Sequence, residues 1–292
     1  MKNSFDYGGQ AVIEGVMMRG PLRWSVAVRK PDRTIEVETR EVETITRRFP
    51  FLKWPFIRGT VVLFESLIVG IEALSFSASL ATGEEEKPIT KWEMALTILA
   101  AFGLAILLFV LLPVAVAHLT LPYVQGNLAQ NLIEGILRVV VFLLYVVAVG
   151  RMKDIRRVFQ YHGAEHKVIN AYEAGAPMTI ADIQRFKTLH PRCGTSFLMI
   201  VLVISILVFS VLATEPLWWR FVSRLLMLPV VAGLGYEFIK FTGKHSSSAI
   251  CRVLMAPGLW LQKLTTRPPD DDQVEVALMA FNAVAKEGET NA

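Results

Sequence analysis

From Glu93 to Ala117 the chain carries no charged side chain after its first residue, a run long enough to cross roughly 30 Å of hydrocarbon as a helix. Leu132 to Gly150 is similar, broken only by Glu134 and Arg138 near its start. Phe197 to Thr214 is an uncharged third candidate, and Leu217 to Ile239 a fourth with Arg220 and Arg224 near its first end. A chain of 292 residues that is 53% hydrophobic and only 19% charged is too apolar for an ordinary soluble protein. The lipid bilayer is therefore its expected partner. The net charge of +4 follows from membrane-flanking loops and gives no support to nucleic-acid binding.

The loop His118–Asn131 contains no Lys or Arg, whereas Arg151–Ser196 contains Arg151, Lys153, Arg156, Arg157, Lys167, Arg185, Lys187 and Arg192. Basic short loops stay in the cytosol, so the middle loop and both termini are expected there. Arg220 and Arg224 then lie at the outer end, where they are expected to snorkel toward headgroups. Glu134 and Arg138, one turn apart, are expected to pair within their own helix.

Trp54–Leu80 is apolar but carries Arg58, Glu65 and Glu72 at a seven-residue spacing, which stripes one helical face with charge. That pattern is expected of a helix lying in the membrane interface or packed laterally on the protein. Residues 1–53 differ in composition. Trp24–Arg29 and Thr34–Thr39 read as strands around the turn Lys30-Pro31-Asp32-Arg33. Gly8–Gly20 is rich in glycine without the lysine and Ser/Thr of a phosphate loop; it reads as a close-packed strand or turn, or as a lip of an active site. After the fourth span, Ser248–Leu264 suits a surface helix, and Pro268-Pro269-Asp-Asp-Asp caps a last amphipathic helix from about Gln273 to Lys286.

The expected fold is thus mainly α: a polytopic membrane protein with about four transmembrane helices, a small N-terminal domain containing a β-hairpin, and interfacial helices. Its segments are 1–53, 54–91 with the interfacial helix, 92–150 with two spans, a cytosolic loop 151–196, 197–243 with two further spans, and 244–292.

Three of the five histidines and one of the two cysteines gather in that loop, as His162-Gly-Ala-Glu165-His166 and His190-Pro-Arg-Cys193-Gly194. On a helix, His162 and His166 lie one turn apart and share a face with Glu165, so two imidazoles can converge on an ion beside a carboxylate. This is the H-x-x-E-H order of inverted zinc peptidases, in which the glutamate is general base to a zinc-bound water. Those enzymes take a third, carboxylate ligand downstream, for which Glu237 and Glu173 are the candidates. The second cluster pulls the other way. It is similar to a zinc knuckle with histidine in place of the first cysteine, where backbone N–H groups after the second ligand point at its sulfur and glycine permits the turn.

Four ligands from His162, His166, His190 and Cys193 would fill a tetrahedron and make the metal structural. Three would leave room for water and let Glu165 act as base, with Arg19, Lys167 or Arg192 stabilising developing charge. Both readings remain open at this level: a zinc-dependent hydrolase acting on a membrane-proximal peptide or lipid headgroup, or a non-enzymatic, oligomeric scaffold, pore or transporter with a metal clamp. The bland alternatives are that Lys167 and Arg192 only satisfy the positive-inside bias, that His118 and His245 bond backbone or headgroups, and that Cys251 is a small buried residue.

Gly8–Gly20, Tyr161-His-Gly-Ala-Glu-His-Lys167, His190-Pro-Arg-Cys-Gly-Thr195 and Gly235-Tyr-Glu-Phe238 together resemble the YqhQ-like family of bacterial membrane proteins. The resemblance spans nearly the whole chain. It implies a multi-pass protein of the bacterial inner membrane, a metal-dependent enzyme whose reaction the family label does not name, and a Gly8–Gly20 segment that belongs with the histidine clusters.

Overall fold

A computed structural model describes residues 7–42, 44–45, 49–81, 91–245 and 248–285. Four strands, β1 (Gly8–Val12), β2 (Gly15–Arg19), β3 (Arg23–Arg29) and β4 (Ile35–Glu41), form one antiparallel sheet in sequence order. The expected hairpin is β3–β4, and the glycine-rich segment adds a second, β1–β2. Its two-residue turn sets Val12 opposite Gly15 and holds Glu14 at a φ of 50°.

Side chains alternate across the sheet as the pleat requires. Val16, Met18 and Ala27 face one way, into a core shared with α5 (Lys153–Glu173) and α10 (Asp271–Ala285). Val12, Met17, Trp24, Val26 and Val28 face the other way, onto Val69, Ala73, Phe76 and Leu80 of α1 (Ile57–Ala81). The Ser25 hydroxyl donates to the Ala280 carbonyl at 2.6 Å and ties sheet to C-terminal helix.

The three charges of α1 fall on the face turned to the protein. Arg58 pairs with Glu237, Glu65 with Arg19 at 3.7 Å, and Glu72 with Arg40 at 3.1 Å. Phe64, Leu67, Ile68 and Leu74 are exposed. The charged stripe expected from the seven-residue spacing is therefore a packing face, and the helix is laterally attached along its length.

The remaining helices are α2 (Lys91–Ile106), a π-helical turn at Leu107–Leu111, α3 (Leu112–His118), α4 (Asn127–Val149), the short α6 (Ile180–Ile183), α7 (Gly194–Ser210), α8 (Leu217–Lys244) and α9 (Ala249–Thr265). Four stretches among the described residues are long and apolar enough to cross a membrane: Ile57–Ala81, Ala95–His118, Asn127–Val149 and Leu217–Gly243. The number agrees with the sequence expectation, but the membership differs. Ile57–Ala81 qualifies by length and composition, whereas Gly194–Ser210 is a shorter apolar helix of 17 residues.

The arginines of α8 do not snorkel. Arg220 and Arg224 are fully buried and turn inward to Glu134 on α4, at 2.9 Å and 3.2 Å, while Arg138 meets the same carboxylate at 2.7 Å. Arg224 also bonds Asn131, and Arg138 Nε donates to the Phe109 carbonyl at 2.8 Å. The expected intrahelical pair is real, but it is one arm of a network joining α4 to α8. Charges removed from water persist only when paired and hydrogen-bonded, which the one-turn spacing of Arg220 and Arg224 on the face toward α4 permits.

Candidate metal centre

Helix α5 presents His162, Glu165 and His166 on one face, as the i, i+3, i+4 spacing requires. Each histidine is oriented by a backbone carbonyl. His162 Nδ1–H donates to Thr265 at 2.8 Å, and His166 Nδ1–H donates to Thr188 at 2.6 Å. A carbonyl only accepts, so both rings are fixed in the Nδ1–H tautomer with the Nε2 lone pairs turned inward.

Cys193 caps the N-terminus of α7. Its Sγ accepts the Thr195 backbone N–H at 3.4 Å and lies 3.1 Å from the Thr195 hydroxyl. This is the backbone-to-sulfur contact expected of the knuckle-like turn. Sγ is 3.2 Å from His162 Nε2. The ligand atoms of His162, His166 and Cys193, all buried, lie within 4.8 Å of one another. His166 Nε2 has no hydrogen-bond partner among the described residues. A buried imidazole lone pair left unsatisfied costs free energy unless something binds it, so the donor set fits a thiophilic divalent ion such as zinc.

Glu165 stands beside this group, its Oε2 at 3.9 Å from His162 Nε2 and 3.8 Å from His166 Nε2. It is 4% exposed. Burial pushes its carboxyl above the usual carboxylate range, against the charges of His162 and His190 and the Gly9 backbone N–H that it accepts. Burial also lowers His166, against its contacts with Cys193 and Thr188.

His190 does not join the group. Its Nε2 is 3.3 Å from Glu173 Oε2, and its Nδ1 accepts the Arg192 backbone N–H at 3.4 Å, so both ring nitrogens are engaged. The proline turn leaves His190 and Cys193 both lining one cavity, with the His190 ring 5.8 Å from that of His166 and its Nε2 turned to Glu173. Glu173 is thereby explained as the partner of His190 and Arg192 rather than as a third carboxylate ligand. Burial opposes its ionisation, but His190 and Arg192 outweigh that and hold it below the ordinary range.

The other sequence candidates lie elsewhere. Glu237 grips Arg58 through both carboxylate oxygens, with Arg58 Nε at 2.6 Å, at the junction of α1 and α8. Arg19 is held by Glu65 and the Ser66 hydroxyl. Lys167 points off the other side of α5 and donates to the Gln184 carbonyl at 2.5 Å. Each meets a partner outside the His162–Glu165–Cys193 group. Arg192 alone of the proposed charge-stabilising residues lines the cavity.

That cavity, about 440 Å³, opens between β1, α5 and the start of α7. Gly8, Gly9 and Gln10 form an exposed rim, while His162, Glu165 and Cys193 are buried in its wall. Of the Gly8–Gly20 segment, the first residues border this cavity. Glu14 and Arg19 are paired with Arg157 and Glu65. Sequence reasoning missed Thr188 and Thr265, whose contributions are carbonyl groups that every residue type carries.

The family described as "Protein of unknown function (DUF1385)" matches residues 54–287, a stretch that contains His162, Glu165, His166 and Cys193. The chain is similar to "Uncharacterized protein YqhQ" of Bacillus subtilis (strain 168), at 37% identity over 294 residues, covering 96% of this chain and 92% of the relative. No solved structure matches it. With the family matched over most of the chain and the relative over nearly all of it, this protein belongs to the YqhQ-like, DUF1385 family of proteins.

Proposed function

We propose that this protein is a metal-dependent hydrolase of the bacterial inner membrane, with one zinc ion held by His162, His166 and Cys193 and its cavity open to the cytosol. The observation that carries the reading is the inward convergence of two Nε2 atoms and a thiol beside Glu165, with His166 Nε2 otherwise unpartnered. Engagement of His190 by Glu173 and Arg192 leaves three protein ligands, which favours a catalytic ion with an open position over a closed structural clamp.

Zinc bound there supplies Lewis acidity and acidifies the water that reaches it. Glu165 is placed to take a proton from a water molecule between its carboxylate and the histidines, and its raised affinity for protons suits that task. The water oxygen adds to a substrate carbonyl carbon, the bond from that carbon to nitrogen or oxygen breaks, and the proton on Glu165 passes to the leaving group. Arg192 lines the cavity paired with Glu173, so the oxygen that gains charge shares its guanidinium with that carboxylate.

Parity supports this placement in the membrane. The sheet touches both α5 and α10, so residues 8–41, 153–173 and 271–285 occupy one side. The chain between consecutive members of that layer must cross the bilayer an even number of times. Residues 42–152 hold three qualifying helical stretches. The middle and last are joined by a short loop as an antiparallel pair, so α1 lies along the surface. Between 174 and 270, α8 crosses and needs a return partner, which α7 supplies: its 17 residues span about 26 Å. The Lys- and Arg-rich segment 151–192 lies in the shared layer and the loop without basic residues lies opposite, which supports a cytosolic side for that layer.

Elemental analysis and X-ray absorption on purified protein, with hydrolysis of fluorogenic peptide amides and lipid esters, test the reading. One zinc per chain is expected, bound by two nitrogens, one sulfur and a water oxygen. Glu165→Gln is expected to retain the metal and lose at least a hundredfold in rate. Absence of metal, a closed four-ligand site, or undiminished turnover in Glu165→Gln would each defeat it.

A further inference from the structure

We infer that the cavity takes an extended polypeptide segment, which adds to the free edge of β1 as a fifth strand and lays one peptide group beside Glu165. The inference rests on the hydrolase reading and names its substrate class.

β1 is an edge strand, with β2 on one side only. Five consecutive residues, Tyr7 to Ala11, line the cavity. A sheet face would contribute every second residue, whereas an edge contributes all of them, so the cavity is bounded by the strand's main chain. Hydrogen-bond parity identifies the groups turned outward. The turn pairs Val12 with Gly15, and the Arg29 N–H donates to the Glu14 carbonyl at 2.8 Å, which sets Glu14 and Val16 toward β3 and Gly15 toward β1. Gly8, Gln10 and Val12 therefore bond β2, while Gly9 and Ala11 direct their N–H and C=O groups to the open edge.

The Gly9 N–H is taken by Glu165. The Gly9 carbonyl and both main-chain groups of Ala11 have no hydrogen-bond partner among the described residues. A side chain on Gly8 would enter open space, so that position is not glycine for want of room within the fold; its bare main chain leaves the rim clear.

An edge of this kind offers paired donors and acceptors at strand spacing, which an extended peptide matches and a lipid headgroup does not. Opposite Gly9 the ladder is interrupted, because Glu165 occupies the donor that a peptide carbonyl would take. The peptide group at that position is thus held next to the carboxylate and the His162–His166–Cys193 group. Hydrolysis there consumes one water: its oxygen joins the acyl carbon, the C–N bond breaks, and the amine leaves with the proton collected by Glu165.

The test uses full-length Glu165→Gln protein in nanodiscs, so that binding is read without turnover. The probe is a fluorescein-labelled, capped octapeptide of alternating threonine and valine, followed by anisotropy beside its fully N-methylated counterpart. Ala11→Pro in the same background removes an outward N–H and leaves the ladder to β2 intact, as edge-strand prolines do. N-methylation and Ala11→Pro are each expected to weaken binding about tenfold or more. Equal binding of both peptides, or no binding of either while phosphatidylethanolamine–phosphatidylglycerol vesicles are hydrolysed by the wild-type protein, would overturn the inference. If Ala11→Pro does not fold, the N-methylated peptide decides alone. Backbone-dependent binding to a protein that never cleaves the peptide would uphold the edge and defeat the hydrolase reading; cleavage that ignores N-methylation remote from the scissile bond would do the reverse.

Discussion

Arg220 on α8 reaches Glu134 on α4 with Nε at 2.9 Å from Oε2, and neither side chain touches solvent. The same carboxylate serves Arg138 and Arg224, so one anion is shared by three guanidinium groups. Removing it strands all three. Glu134→Gln is expected to destabilise the helical bundle by about 3 kcal/mol or more, the scale for breaking a buried ion pair from one side. Arg138→Met, which removes one of three cations and leaves the carboxylate paired, should cost less. Thermal unfolding in detergent compares them; equal or smaller loss in Glu134→Gln would contradict the network.

Zinc content separates the two histidine clusters. His162→Ala and His166→Ala each remove a converging nitrogen and are expected to lower affinity by at least a hundredfold. His190→Ala, whose ring is held by Glu173 and the Arg192 N–H, should keep near wild-type metal. A metal-free His190→Ala protein that remains folded would place His190 among the ligands.

Gly163 is pressed against the chain that follows α9. A Cβ there would lie 2.1 Å from the Arg267 carbonyl oxygen, which cannot swing aside as a side chain can. Gly163→Ala is therefore expected to lower stability by about 1–3 kcal/mol and to pull Thr265 from His162, seen as reduced zinc occupancy. Unchanged unfolding and unchanged metal would show that the 266–267 segment is free to move.

Gly9→Ala tests the other wall. Its Cβ would meet the Met17 carbonyl at 2.5 Å and the Glu165 side chain at 2.9 Å. The α5 side chain it meets is Glu165, so zinc should be retained while turnover falls at least tenfold through displacement of that carboxylate. Loss of metal in this variant would mean that the sheet, and not only the carboxylate, sets the ligand geometry.

Nitroxide labels at Phe64, Ile68 and Leu74, all exposed on α1, report where that helix lies. A surface helix gives shallow, similar immersion at the three positions by oxygen and nickel accessibility. Graded depth through the bilayer centre would make α1 a span and break the parity that supports a cytosolic side for the cavity.

Much of the His–Glu–Cys cluster was legible because helical spacing fixes neighbours: His162, Glu165 and His166 had to share a face, and the turn before α7 had to offer Cys193 to a backbone N–H. What spacing cannot reveal is competition between partners. Glu237 and Lys167 had suitable chemistry, but Arg58 and the Gln184 carbonyl are nearer. His190 meets Glu173 for the same reason. Arg220 and Arg224 were misplaced because a charge near a helix end is compatible with headgroups or with a buried counterion, and the partner lies 86 residues or more away in sequence. The charged stripe of α1 was readable as a stripe; only the fold supplies Arg19, Arg40 and Glu237 as the groups it meets.

The bond from Ser25 to Ala280 joins positions 255 residues apart, and it bears on the order of biosynthesis. The sheet leaves the ribosome early, yet its Val16–Met18–Ala27 face is covered only by α5 until α10 has been made. Thr265, which orients His162, also emerges after every helix proposed to cross the bilayer. A nascent chain can therefore insert its helices with β1 already against α5 but without α10 behind the sheet and without the Thr265 carbonyl that orients His162. The residues that line the cavity all lie between Tyr7 and Leu198, so an unfinished copy carries the cavity wall before the groups that brace it.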